Sequence, residues 1–195
     1  MGRHREFDVD DALDAALDVF WRKGFEGASY TDLTQATGVE RPALYSAFGN
    51  KEALFRLALE RYYARYLNYF TEALTQPTAR QVVEQVLLGA AELHTRYADR
   101  RGCLGIHGAL AGSDDVVPIQ QALIAARAGG EASLRKRLEQ AQQEGDLPQD
   151  ANPAVLATFV LTVLHGMAVQ AKSGFSRATL EAVARQVLSS WPSRA

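Results

Sequence analysis

Apolar residues recur along this chain at helical spacing, and no stretch alternates apolar with polar residues as a half-buried strand would. Leu13, Ala16, Leu17 and Phe20 fall at i, i+3, i+4 and i+7, which places them on one face of a helix. The helices also carry their own punctuation. Asp8 or Asp10 can cap the first, and Lys23-Gly24 ends it: a cation complements the helix dipole, and glycine turns left-handed without steric cost. Ser29, with Asp32 three residues on, has the form of a capping box, and Gly38 stops the short helix it opens. A second short helix begins around Glu40-Arg41-Pro42, where proline is tolerated in the first turn, and ends at Phe48-Gly49. The fold class is all-α.

Asn50 then caps a longer helix, expected to run to about Thr75 with Pro77 terminating it. Leu59, Tyr62, Tyr63, Tyr66, Tyr69 and Phe70 form an aromatic stripe along it. Further helices are expected over about 78–99 and 117–145, the latter bent at Gly129-Gly130, with Gly102, Gly105, Gly108 and Gly112 breaking the chain between them. Pro153 leads into the last two helices. The first of these is apolar around most of its circumference, through Leu156, Phe159, Val160, Leu161, Val163, Leu164 and Met167. Such a helix needs partners on both sides, so a homodimer through the last two helices is expected.

Composition limits the function classes. Of 195 residues, 47% are hydrophobic and 23% charged, which is ordinary for a globular chain. No unbroken run of about 18 apolar residues occurs, so a transmembrane helix is not expected. The opening residues carry no apolar stretch like a secretory signal, and a lone cysteine, Cys103, forms no intrachain disulfide or multi-cysteine zinc module. The expected location is cytoplasmic. Net charge is −2. Residues 1–66 hold nine Lys/Arg against eleven Asp/Glu, so any phosphate-binding surface must be local. Such a surface is available in residues 41–65, where Arg41, Lys51, Arg56, Arg61 and Arg65 outnumber Glu52 and Glu60.

Two short helices separated by Gly38-Val39, with Leu33, Ala36, Val39 and Leu44 apolar, read as a helix-turn-helix. The second must be short and must expose small or polar residues at its start, so that it can enter a DNA major groove. Arg41, Ala43, Tyr45 and Ser46 meet that need while Leu44 and Phe48 face inward. Lys51 sits in the first turn of the next helix, where backbone amides already favour a phosphate.

Residues 24–55, from Gly24-Phe25 through Gly38-Val39, Leu44-Tyr45, Phe48 and Lys51 to Glu52-Ala53-Leu54-Phe55, closely resemble the TetR-family repressor signature. The resemblance implies a dimeric regulator with an N-terminal three-helix DNA-binding domain over residues 1–50 and a larger helical ligand-binding and dimerisation domain over 51–195. Its expected partners are double-stranded operator DNA and a small-molecule effector. It implies that Ser29 and Thr31 touch phosphates, that Arg41 reads bases with Pro42 and Ala43 packed beside it, and that Tyr45, Ser46 and Lys51 hold the DNA backbone. Two positions depart from the pattern: Glu40 replaces a small polar residue, and Ala28 replaces the common threonine. Glu40 either accepts from a cytosine amino group or repels phosphate.

The expected effector pocket lies among Tyr62, Tyr66, Phe70, His94, Cys103, His107, Phe159 and His165, aromatic walls with a few polar groups. Arg101-Gly102-Cys103 resembles a subgroup some of whose members sense oxidants through a thiol, which requires a lowered thiol pKa; the alternative is a small buried side chain. The spacing matches no metal motif, and no cofactor is expected. The competing class is an enzyme or carrier using Cys103 with His94 or His107. No nucleophile–base pair at a defined spacing and no phosphate loop supports it. Repression and activation are not separated by the protein sequence, because operator position decides the sign.

Overall fold

Short-range hydrogen bonds set the helix starts. The computed structural model describes residues 7–107 and 117–192, and among these all regular structure is helical. Helix α1 (Val9–Gly27) opens where the Asp8 carboxylate accepts from the amides of Asp10 and Asp11. Gly24 breaks it at φ 71, and a last turn follows to Gly27. α2 (Tyr30–Thr37) begins with the complete Ser29/Asp32 capping box and ends at Gly38, left-handed at φ 67. α3 (Arg41–Phe48) takes Pro42 in its first turn, and α4 (Lys51–Tyr66) is capped by the Asn50 side chain on the Ala53 amide. The remaining helices are α5 (Asn68–Ala73), α6 (Ala79–Thr95), α7 (Leu104–His107), α8 (Val117–Gln143), α9 (Pro153–Lys172) and α10 (Arg177–Ser189).

Two expectations need correction. The long helix breaks at Leu67, which leaves helical geometry at φ −104 and ψ 11, and a separate short helix, α5, turns aside to pack on α6. The helix after Thr78 ends at Thr95 rather than Asp99. α8 continues as helix through Gly129 and Gly130. Gly108 and Gly112 lie outside the described residues.

Two apolar clusters fill the molecule. One joins α1 to α4 and takes Leu93, Leu104, Ile119, Leu123 and Ala168 from the later helices. Phe20, Phe55 and Trp21 are buried at its centre, and Phe55 meets Phe20 edge-on at 5.1 Å. Burying each such side chain contributes roughly 1.5–3 kcal/mol. The other cluster is built by α6, α8, α9 and α10 around Val86, Leu87, Leu134, Leu138 and Val160. Ion pairs from Arg61 to Asp10 and Asp14, and from Arg65 to Asp14, tie α4 along α1. They also hold the Asp14 carboxyl below its ordinary pKa against the opposing effect of burial.

By length and composition α9 is apolar enough to cross a membrane. A search for an unbroken apolar run misses it because Thr158, Thr162 and His165 interrupt the series. It is packed here as a core helix, with Ala157, Val160, Leu164, Met167 and Ala171 buried and α6 and α8 as its main neighbours. Its opposite face leaves Val155, Phe159 and Val169 exposed, in line with Thr162 and Gly166.

Candidate DNA-reading head and effector cavity

α3 presents its first turns outward. Leu44 and Phe48 are buried, Ala43 is half-buried, and Arg41, Pro42, Tyr45 and Ser46 are exposed. Thr31 is exposed in the first turn of α2. Ser29 is committed to its own helix: its hydroxyl donates to Asp32 and accepts from the Asp32 amide. Lys23 pairs with Asp32 at 2.6 Å. That pair, followed by the Ser29 amide and hydroxyl, holds the Asp32 carboxyl well below the usual carboxylate range. Ala28 is fully buried and offers no hydroxyl for a phosphate. Glu40 precedes α3 without capping it through its side chain.

A residue that sequence reasoning missed organises this surface. Tyr30 stacks on Tyr45 with ring centroids 5.3 Å apart, and the Arg41 guanidinium lies 3.9 Å over the Tyr30 ring. Arg41 donates to the Tyr45 hydroxyl at 3.1 Å, Tyr45 donates to the Tyr30 hydroxyl at 2.6 Å, and the Lys51 amide donates to that same oxygen at 3.3 Å. Arg41, Tyr45 and Lys51, placed in the reading surface from their spacing, are thus linked through Tyr30. The available signal was an aromatic residue at the first helical position beside the capping box. The Lys51 ammonium lies 4.6 Å over the Phe25 ring, and burial lowers its pKa.

A cavity of about 560 Å³ lies in the later part of the chain, between α4, α5, α6, α7, α8 and α9, a size suited to a drug-like molecule. Of the residues named from the sequence, Phe70, His94, Cys103 and His165 line it, together with Tyr63, Leu67, Tyr69, Arg127, Leu161 and Leu164. Tyr62 and Tyr66 do not. The break at Leu67 leaves them on the α1 side of α4, where Trp21 meets Tyr62 at 4.8 Å and Tyr66 at 4.6 Å. Phe159 is also absent from the wall, because it belongs to the exposed face of α9. The His107 side chain lies outside the described part of the structure. Among the described residues no group of His, Cys, Asp and Glu could hold a metal ion.

Cys103 is buried at the cavity wall. Burial raises its thiol pKa, partly offset by the Tyr62 hydroxyl, which donates to the sulfur at 3.6 Å, and by the Gly105 and Ile106 amides. The lowered pKa that thiol reactivity requires is not what this environment produces. The segment before Cys103 faces the other way. The Gly102 carbonyl accepts from the Trp21 indole N–H at 2.9 Å in a buried contact, and Arg101 pairs with Asp18 of α1 at 2.6 Å. Arg56, near the start of α4, donates to the Pro118 carbonyl at the start of α8.

Both halves of this geometry have counterparts among known proteins. The family model for bacterial regulatory proteins of the tetR family matches residues 12–58, and that for the tetracyclin repressor-like C-terminal domain matches residues 80–187. The chain belongs to the TetR family. It is 33% identical over 193 residues to the HTH-type transcriptional repressor ComR of Escherichia coli (strain K12), spanning 98% of this chain and 92% of ComR. BdcR, an HTH-type transcriptional repressor of the same strain, is 29% identical over 180 residues, 90% of this chain and 84% of BdcR. Among solved structures, a cysteine mutant of the TetR family regulator CifR, complexed with 26 bp double-strand operator DNA, matches with a TM-score of 0.91 and 41% identity. That match covers 97% of this chain and 100% of the CifR chain. As a TetR-family member the molecule is a DNA-binding transcriptional regulator rather than an enzyme, and its helix-turn-helix is α2 and α3.

Proposed function

We propose that this TetR regulator is a cytoplasmic repressor that a small organic effector releases from a palindromic operator. In this reading residues 1–50 form the DNA-reading part and 51–195 the sensing and dimerising part. Arg41 reads a base edge, Pro42 and Ala43 pack beside it, and Thr31, Tyr45, Ser46 and Lys51 hold phosphates. Ser29 acts by fixing the start of α2. The apolar stripe of Val155, Phe159 and Val169 on α9, with Val183 exposed on α10, faces the same surface of a second copy. That pairing would set two reading helices about 34–36 Å apart, one turn of DNA.

One observation carries the coupling. The segment Arg101–Cys103 touches both parts: Cys103 is cavity wall, while Gly102 and Arg101 are bonded to Trp21 and Asp18 of the first helix. An effector that displaces this segment shifts α1, and with it the spacing of the heads. It weakens operator affinity by its difference in affinity for the two spacings. The raised thiol pKa favours reversible binding over oxidation as the signal.

Selection of bound sites from random duplex DNA tests the reading. A palindromic consensus whose affinity falls steeply with salt is expected. Arg41→Ala should lose about tenfold or more on that site and relax preference at one base position in each half. Selection of no sequence by folded, dimeric protein, with or without cell extract, would refute the proposal.

A further inference from the structure

The cavity wall is apolar apart from one corner, and that corner carries a cation. Arg127 is the charged side chain among its described lining residues, which include no aspartate or glutamate. It reaches in from α8, half-buried, and donates to the Gly105 carbonyl at 3.0 Å. A carbonyl does not neutralise a guanidinium, and no carboxylate among the described residues pairs with Arg127. Gly105 is also where other polar groups converge. A Cβ built there would lie 3.1 Å from the Tyr63 hydroxyl and 3.7 Å from the Cys103 sulfur. Tyr63, Cys103 and His165 line the same cavity and lie within reach of the Arg127 charge. Most other polar groups on the wall are occupied locally: Asn68 donates to Glu72, Thr71 to the Asn68 carbonyl, and Ser133 to the Gly129 carbonyl.

A half-buried cation against apolar walls, with a carbonyl as its partner, is better satisfied by an anion. The planar fork of arginine matches a carboxylate in two parallel hydrogen bonds. Around the remainder of the site, Leu67, Phe70, Leu161 and Leu164 offer only apolar surface. We propose that the effector is an apolar carboxylic acid, whose carboxylate pairs with Arg127 beside the Tyr63 hydroxyl and His165 and whose hydrocarbon part fills the cavity between α5 and α9. The inference rests on the reading of this cavity as the effector site, and it fixes the effector's chemical class.

The test uses the intact protein with three matched series: octanoate, decanoate and phenylacetate, their primary amides, and the corresponding amines. Binding is followed by calorimetry, and release is followed on the operator recovered by selection. The acids should bind at least about tenfold more tightly than their amides, the difference expected for hydrogen bonds to a charged group, and the amines weakest of all. In Arg127→Gln the acid should fall to the level of its amide, while Arg127→Lys keeps part of the preference. Equal binding of acids and amides to the unsubstituted protein would overturn the proposal without any variant. If those amides also release DNA, the effector-site reading stands and only the acid class fails. Preferential binding of acids without release of DNA would support the site's chemistry and refute its regulatory role. Absence of binding by every acid overturns the proposal.

Discussion

Arg41 on α3 and Arg127 on α8 lie in the two parts of this regulator, and their surroundings differ in kind. Arg41 is exposed, and the groups that hold it, Tyr30 and Tyr45, lie within fifteen residues of one another. Arg127 donates to the Gly105 carbonyl and lies within electrostatic reach of Tyr63, Cys103 and His165, residues drawn from three other segments of the chain. The DNA-reading surface is set largely by local hydrogen bonds on a two-helix frame. The cavity exists only once helices distant in sequence have packed. In the proposed function, local order would let the head move as a unit, and non-local order would let a bound molecule alter several helix contacts together.

The largest test asks how far the head stands on local order alone. Phe55→Ala removes the ring that α4 places against Phe20 and Phe25, and denaturant unfolding should show a loss of about 3–5 kcal/mol. A loss under about 1 kcal/mol would mean that caps and turns hold the head without its core. Trp21→Phe keeps the aromatic packing but leaves the buried Gly102 carbonyl without its donor, at a cost of about 1–3 kcal/mol. Paired titrations should show effector response falling more than operator affinity. The reverse ranking would move the coupling to the Arg56–Pro118 contact.

Ser29→Ala should cost about 1 kcal/mol, the usual value of a helix cap. Because the Asp32 pKa is lowered in the folded state, the contribution of that carboxylate is complete above its unfolded value of about 3.9 and is lost as pH falls further. The deficit of Ser29→Ala should therefore hold steady from neutral pH to about 4 and shrink below it. A deficit that disappears by pH 6 would assign the stabilisation to another group. The smallest effect concerns Cys103. Its raised pKa predicts alkylation by iodoacetamide slower than that of a free thiol at pH 7, with the rate still climbing above pH 9. Cys103→Ser should leave operator affinity unchanged. Rapid labelling at neutral pH would reopen the thiol as a sensor.

The same contrast explains which features were legible. Ser29 with Asp32, Gly38, Pro42 and Asn50 sit where the sequence placed them, since capping and left-handed turns are contacts between residues two to four apart. The aromatic stripe after Leu59 was visible, but its division was not. A break at Leu67 separates Tyr63, Tyr69 and Phe70, on the cavity, from Tyr62 and Tyr66, against Trp21. Helical periodicity identifies an apolar face without saying which neighbour it will meet.

The all-helical class, the helix starts in the first part and the helix-turn-helix were thus determined by the sequence itself, because each depends on short-range backbone chemistry and on a dense local motif. Three features were decided only by tertiary structure: the linkage of Arg41, Tyr45 and Lys51 through Tyr30, the turn of Cys103 into the cavity with Gly102 held by Trp21, and the arrival of Arg127 at Gly105. Each joins residues with no periodic relation to one another, so no spacing rule could pair them before the helices packed.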